Sequence, residues 1–412
     1  MNLLFLCPHF EPDLHAATGE VMTRLVHALG DRGHTIHVVT SLPWYRQHDV
    51  EAEWRGRPWR RETTSFGTVT RVWPFPTDKG NIPARAAGFA GFNALVLGAA
   101  LSTPKPDAIL AMSPPIVIGD AGWLAAKRYR VPFVFNVQDI FPDVAVDLGA
   151  LSNKRVIAAA RWYERSIYAR ADAVTVLSQD QAANVAAKIR QAGADTRVEV
   201  IHNFVDLERV TVVDRINPFR AARRLGDDLV VGYSGNVGLS QSFDLVRHAA
   251  EVFADTPGLR FLINGEGAAR PAVNAWAATM PNVTVGDFVA RHEVSDALGA
   301  IDLHLILLKA GLAKSSTPSK LYGILAAGRP ILASIDEGSE VAAMIADADC
   351  GRSIPPDDKD AFVAALREML ADRQLLAAQG KRARAFVEAW MTPEAQAMAY
   401  EKLFTQLIEA DA

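Results

Sequence analysis

The chain has 412 residues, with 50% hydrophobic and 22% charged content; 43 basic against 47 acidic residues leave a net charge of −4. This composition is globular and long enough for two hydrophobic cores, and its acidic balance argues against a nucleic-acid partner. Two distant cysteines, Cys7 and Cys350, make neither a disulfide framework nor a zinc cluster and suit a reducing cytosol. The opening Met-Asn-Leu-Leu-Phe-Leu-Cys-Pro has no basic leader segment, so no signal peptide is expected. Residues 1–205 carry 22 basic and 19 acidic side chains, and residues 206–412 carry 21 and 28. Any anionic partner or membrane surface is therefore expected on the first half.

Strands and helices alternate along the chain. Residues 3–6 read as a strand, 21–29 as a helix and 35–40 as a strand, and 60–73 read as a hairpin turning at Phe66-Gly67-Thr68. Residues 86–104 are uncharged but interrupted by Asn93 and three glycines. A spanning helix needs about 20 predominantly apolar residues, so a buried or membrane-touching helix is expected here. Strands follow at 107–111, 132–137, 174–177 and 198–201, with a helix at 118–128. A polar stretch near 204–215 marks a linker, and a second strand–helix series begins at 230–234. Its strands continue at 260–263, 283–285, 303–308 and 331–334, with helices at 242–253, 293–300, after Lys320, and 360–370. Such alternation implies parallel sheets covered on both faces. The expectation is an α/β protein of two Rossmann-like domains facing a cleft: 1–205, and 206–389.

Ligands of open α/β sheets bind at the carboxyl ends of strands, and five such loops stand out. The first runs from Pro8 to Gly19. The second is Asn136-Val137-Gln138-Asp139-Ile140-Phe141-Pro142-Asp143, where Asp139 is a candidate polar anchor. The third, Tyr233-Ser234-Gly235-Asn236-Val237-Gly238, has glycines that allow backbone to approach a phosphate. The fourth is Asn264-Gly265-Glu266-Gly267. The fifth, Ser315-Ser316-Thr317-Pro318-Ser319-Lys320-Leu321, feeds an apolar helix that ends at Gly328 and Pro330. A loop leading into a helix start, with one lysine, suits a phosphate. Neither domain has the three-glycine dinucleotide fingerprint or a Walker pattern, and there is no hydrolase elbow or metal-ligand cluster.

Taken as an ordered set, Arg32-Gly33-His34-Thr35-Ile36-His37-Val38-Val39-Thr40, Ala171-Asp172-Ala173-Val174, Val200-Ile201-His202-Asn203-Phe204-Val205-Asp206, the Tyr233–Gly238 loop and the Pro318–Pro330 segment resemble retaining glycosyltransferases of family 4. These have the GT-B fold, and the chain looks most like the bacterial branch of fucosamine and colanic-acid glycosyltransferases. The resemblance implies a nucleotide-sugar donor, UDP- in preference to GDP-linked, held by the second domain, and an acceptor on the first. Donor phosphates would lie near Gly235, Asn236 and Lys320, with Gly265, Glu266, Ser316, Pro318, Ser319 and Leu321 around them and Gly19 approaching from the other domain. The base would meet Gly286, Asp287 and Phe288. Asp139 and Lys320 become the catalytic candidates, and Glu340 a supporting residue. No metal and no cofactor are implied, and the last helix, about 390–412, would cross back onto the first domain.

Two glutamates common in the family's opening motif fall at Ser315 and Gly323. A basic pair after the glycine loop is replaced by Ser240, Gln241 and Ser242, and a frequent histidine by Gln138. The acceptor in such pathways is a sugar on a polyprenyl diphosphate, which implies a cytoplasmic enzyme docking peripherally on the inner membrane face. Residues 86–104 with Arg55, Arg57, Arg60, Arg61 and Arg85 are the candidate contact. The alternatives are a nucleotide-sugar epimerase, for which no pair of acid–base groups presents itself, and a non-catalytic sugar-nucleotide-binding protein.

Overall fold

The short apolar strand-like runs become strands, and the amphipathic runs together with most of the uncharged 86–104 segment become helices, in the computed structural model. It describes residues 1–14, 17–44, 49–56, 58–76, 82–147, 151–205, 207–208, 210–312 and 320–411. The chain divides into two units, one formed by Met1–Asn203 with Pro393–Ala412 and the other by Phe204–Thr392.

The first unit opens with β1 (Asn2–Leu6), α1 (Ala17–Asp31), β2 (Thr35–Ser41), β3 (Trp59–Thr64), β4 (Gly67–Val72) and α2 (Ile82–Ala100). It continues through β5 (Ala108–Ser113), α3 (Ile118–Tyr129), β6 (Phe133–Val137), α4 (Asp143–Asp147), α5 (Lys154–Tyr168), β7 (Ala173–Val176), α6 (Gln179–Gln191) and β8 (Arg197–Val200). The sheet order is β3-β4-β2-β1-β5-β6-β7-β8. Every pairing is parallel except β3 with β4, the expected hairpin. Central strands such as β5 are buried at every residue, as a sheet covered on both faces requires. On one face Phe92, Val96, Ile118, Ala125, Ile167, Val185 and Ile189, from α2, α3, α5 and α6, form the core.

The second unit contains α7 (Pro218–Ala222), β9 (Leu229–Ser234), α8 (Phe243–Val252), β10 (Leu259–Asn264), α9 (Arg270–Ala277), β11 (Val283–Gly286) and α10 (Val294–Gly299). Then come β12 (Leu303–Leu307), α11 (Lys320–Ala326), β13 (Ile331–Ser334), α12 (Glu340–Asp347), β14 (Gly351–Ile354), α13 (Lys359–Leu370) and α14 (Arg373–Trp390). Its six strands run parallel in the order β11-β10-β9-β12-β13-β14. Strand order reverses between β9 and β12, so the carboxyl ends of these two strands flank a topological switch point.

The closing helix, α15 (Pro393–Asp411), returns to the first unit. Its Ala397, Tyr400, Leu403 and Phe404 join Met22, Leu25 and Leu29 of α1 on the sheet face opposite α2. Residues 86–104 lie largely on α2, which buries Phe92, Val96, Ala99 and Ala100. No described helix is long and apolar enough to cross a membrane.

Candidate active site

The switch point of the second unit brings Lys320 together with the Tyr233–Gly238 loop. Tyr233, near the end of β9, is fully buried, and its ring meets Phe243 edge-on at 5.0 Å. Lys320, the first residue of α11, reaches back across the switch point. Its Nζ donates to the Tyr233 hydroxyl at 2.5 Å and lies 3.7 Å from the centre of the same ring. The Tyr233 hydroxyl in turn donates to the Asn236 carbonyl at 2.6 Å. A Cβ on Gly235 would stand 3.3 Å from Lys320 Nζ, so the lysine sits directly over the glycine turn. Among the described residues no carboxylate pairs with Lys320. Desolvation alone lowers its pKa from 10.5 to about 7, as expected for an ammonium removed from water without a counter-ion.

The loops at the ends of β9, β10 and β11 extend the sheet's hydrogen bonding beyond its strands. Gly235 N–H donates to Asn264 O, Val237 N–H to Glu266 O, and Gly265 N–H to Gly286 O, at 2.8–3.0 Å. The Asn236 N–H makes no hydrogen bond among the described residues and is the available donor of this turn. Gly265 has φ of +143°, and a Cβ there would overlap the Gly235 carbonyl. Only glycine lets these two loops close on each other. Gly265 therefore shapes the loop pair, and its own amide is already engaged. Arg270, which the sequence reading did not single out, ties the same loops together. Its guanidinium donates to the carbonyls of Gly265 and Gly286 and faces Glu266 and Asp287 at 3.5 and 3.3 Å.

Beyond Gly286, Asp287 and Phe288 are exposed, Phe288 at 59%. Leu321 is fully buried in the core of the unit, so only its backbone can face a ligand. Glu340 is buried in the first turn of α12, where Ser339 caps the helix by accepting from Ala342 N–H. The Glu340 charge reinforces the burial that raises Tyr322 to about 12. Gln241, in place of a basic residue, accepts from Gly238 N–H at 2.9 Å and closes the glycine turn. Ser315, Ser316, Pro318 and Ser319 lie outside the described residues.

In the first unit, Asp139 follows β6 at its carboxyl end and is open to solvent, with no hydrogen bond or ion pair among the described residues. Although its surface reaches solvent, the protein packed around the strand end thins the water about the carboxyl and raises it above the ordinary value. The neighbouring Gln138 is locked in a buried network. It donates to Asn136 Oδ1 and accepts from Asn203 Nδ2, both at 2.8 Å, and Asn136 donates to the hydroxyls of Thr175 and Tyr400. Gln138 therefore positions the strand end and has no proton to exchange. Gly19 is buried in α1, where a Cβ would stand 2.6 Å from the Asp13 carbonyl. It lets the Pro8–Leu14 loop fold against the helix, beside a His9–Asp13 pair at 3.3 Å.

Comparison with known proteins follows this division. Residues 17–203 match the family model of the glycosyl transferase 4-like domain, and residues 228–372 match that of glycosyl transferases group 1. The chain is a family-4 glycosyltransferase of the GT-B fold. This glycosyltransferase is 26% identical to WcaI of Escherichia coli K12, named as a colanic acid biosynthesis glycosyl transferase, over 96% of the chain and 97% of WcaI. It is 29% identical to WbjE of Pseudomonas aeruginosa, named as a glycosyltransferase, over 59% of the chain and 61% of WbjE. In fold it is similar to HepE of Anabaena, solved in complex with UDP, with a TM-score of 0.66 and 16% identity over 99% of this chain and 100% of HepE.

Proposed function

We propose that this glycosyltransferase moves a sugar, with retention of anomeric configuration, from a UDP-sugar to a polyprenyl-diphosphate-linked acceptor in surface-polysaccharide synthesis. The observation that carries the donor half is Lys320: a half-buried lysine with no carboxylate partner among the described residues, over a glycine turn at a switch point. That arrangement fits a diphosphate better than any neutral ligand, because the anion supplies the counter-ion the site lacks. UDP in the related HepE fold favours uridine as the base, and similarity to WcaI along the whole chain favours a polysaccharide pathway.

In the proposed reaction the bond from the anomeric carbon to the diphosphate oxygen breaks as the acceptor hydroxyl oxygen bonds to that carbon from the same face. The hydroxyl proton passes to the departing phosphate. Lys320 and the Asn236 N–H stabilise the charge that develops there, so no metal is required. Asp139 would hold a hydroxyl of the reacting sugar or acceptor. The first unit would hold the acceptor and the second the donor.

Peripheral membrane contact belongs to the same proposal, through the helical layer of the first unit. Ala87, Ala90, Ala94 and Gly98 leave an uncharged exposed stripe along α2. On α5, Trp162 is 66% and Val156 46% exposed beside Lys154 and Arg155, while Arg161 is paired with Asp143. Apolar and cationic side chains together suit an anionic lipid surface. The arginines first expected there are engaged locally: Arg55 with Asp49, Arg60 over Trp54, and Arg61 with Thr70 and Ser102. Arg57 and the side chain of Arg85 lie outside the described residues.

The test is incubation in EDTA with UDP-sugars and an undecaprenyl-diphosphate-linked monosaccharide. A product with the donor's anomeric configuration is expected. Donor epimerised without acceptor would point to the epimerase alternative, and donor bound but never transferred to the non-catalytic one.

A further inference from the structure

We propose that Tyr233 is the positioning residue for Lys320, holding its amino group over the Gly235–Asn236 turn so that the charge is placed for the donor diphosphate without being neutralised. The inference rests on the donor-site reading above.

A tyrosine hydroxyl has one proton and two acceptor lone pairs. Here the proton is committed to the Asn236 carbonyl at 2.6 Å, which fixes the hydroxyl's rotation. The remaining lone pairs then take the hydrogen bond from Lys320 Nζ. The ring adds a cation–π contact with Nζ 3.7 Å from its centre. The ring itself cannot swing, since it is fully buried and pinned edge-on by Phe243. One atom, the Tyr233 oxygen, thus sets the positions of both the lysine and the glycine turn.

The choice of partner matters chemically. A carboxylate would hold the lysine more firmly but would cancel the charge that attracts the diphosphate. Tyrosine directs the amino group with neutral groups, so the attraction remains for the ligand. Among the described residues, Tyr233 is the one titratable side chain recorded in contact with Lys320. The Glu340 carboxylate of α12 acts on Tyr322 of α11, and no charged neighbour shifts Lys320. The part of the pH dependence of diphosphate binding that Lys320→Met removes therefore reports this pair, the rest being ionisation of the terminal phosphate at about pH 6.

The experiment is calorimetric titration with UDP, and with uridine for comparison, across pH 6 to 9, using wild type, Tyr233→Phe, Lys320→Met and the double variant. Tyr233→Phe keeps the ring and its packing, and a melting curve checks its fold. The expected result is a loss of about tenfold in UDP affinity, a displaced midpoint in its pH profile and unchanged uridine binding. In the Lys320→Met background Tyr233→Phe should then cost much less than in wild type, the remainder being its hold on the Asn236 turn. Equal losses for UDP and uridine, additive losses in the double variant, or wild-type affinity with an unmoved profile would overturn the proposal and leave the donor-site reading standing. If Tyr233→Phe does not fold, comparison of the wild-type and Lys320→Met profiles decides: the same pH dependence of UDP binding in both overturns the proposal. Wild type that binds neither UDP nor GDP would overturn the donor-site reading and this inference with it.

Discussion

Lys320 makes the free protein's stability depend on pH in a defined direction. Its folded pKa of about 7 lies below the ordinary 10.5, so between these values the unfolded chain binds more protons than the folded one. Stability contributed at this site therefore rises with pH from 7 to 10.5 and is at its lowest below 7. Lys320→Met should remove that slope and stabilise the ligand-free protein at pH 7 by an amount on the order of 2–4 kcal/mol, read from urea unfolding at several pH values. Asp139→Asn should lower transfer by tenfold or more, on the order of one general-acid or charge contact, with an unchanged melting temperature. An unchanged rate would remove Asp139 from the site. Lys320 and Asp139 were visible in sequence because each is a lone charge at a strand–helix junction. Tyr233 was quoted only as part of a motif. Nothing in a strand-like Val-Gly-Tyr-Ser discloses that its hydroxyl will meet a side chain 87 positions later.

The elements that build the site act as a pair of interlocked loops. Gly265→Ala would drive a Cβ into the Gly235 carbonyl and force an L-residue to a positive φ it rarely adopts. The expected cost is about 2–4 kcal/mol, with loss of UDP binding, measured by denaturation and titration. Retained stability and binding would show that the loops are not coupled. The alternation of strands and helices was legible because apolar runs of four to six residues, bounded by turn residues, leave few alternatives. The interlock was not legible, since Asn264-Gly265-Glu266-Gly267 reads as a plain turn until β9 and β10 are placed side by side. The helix over 179–191 did carry a sequence signal. Ser178 caps it by accepting from Gln181 N–H, and Gln181 accepts from Leu177 N–H, close to the reciprocal pattern of a capping box.

At the scale of the molecule, α15 completes the first unit. Tyr400 joins the buried network of Asn136 and Thr175 at 2.8 and 3.1 Å, and Phe404 meets Phe5 edge-on. Tyr400→Phe should cost about 1–2 kcal/mol, because it strips a partner from buried polar groups. Thermal unfolding measures this, and an unchanged midpoint would exclude the network as a source of stability. The two parallel sheets followed from the strand pattern, whereas which sheet the last helix covers depends on tertiary contacts that periodicity does not encode.

The measurement that tests the central claim most directly is titration of wild type and Lys320→Met with UDP in EDTA at pH 8. The account predicts binding by wild type with proton uptake, since the bound diphosphate restores the charge on Lys320, seen as heats that vary with buffer ionisation enthalpy. Lys320→Met should bind at least a hundredfold more weakly and without proton uptake. Equal binding by both proteins, or binding by wild type only when a divalent metal is added, would contradict it.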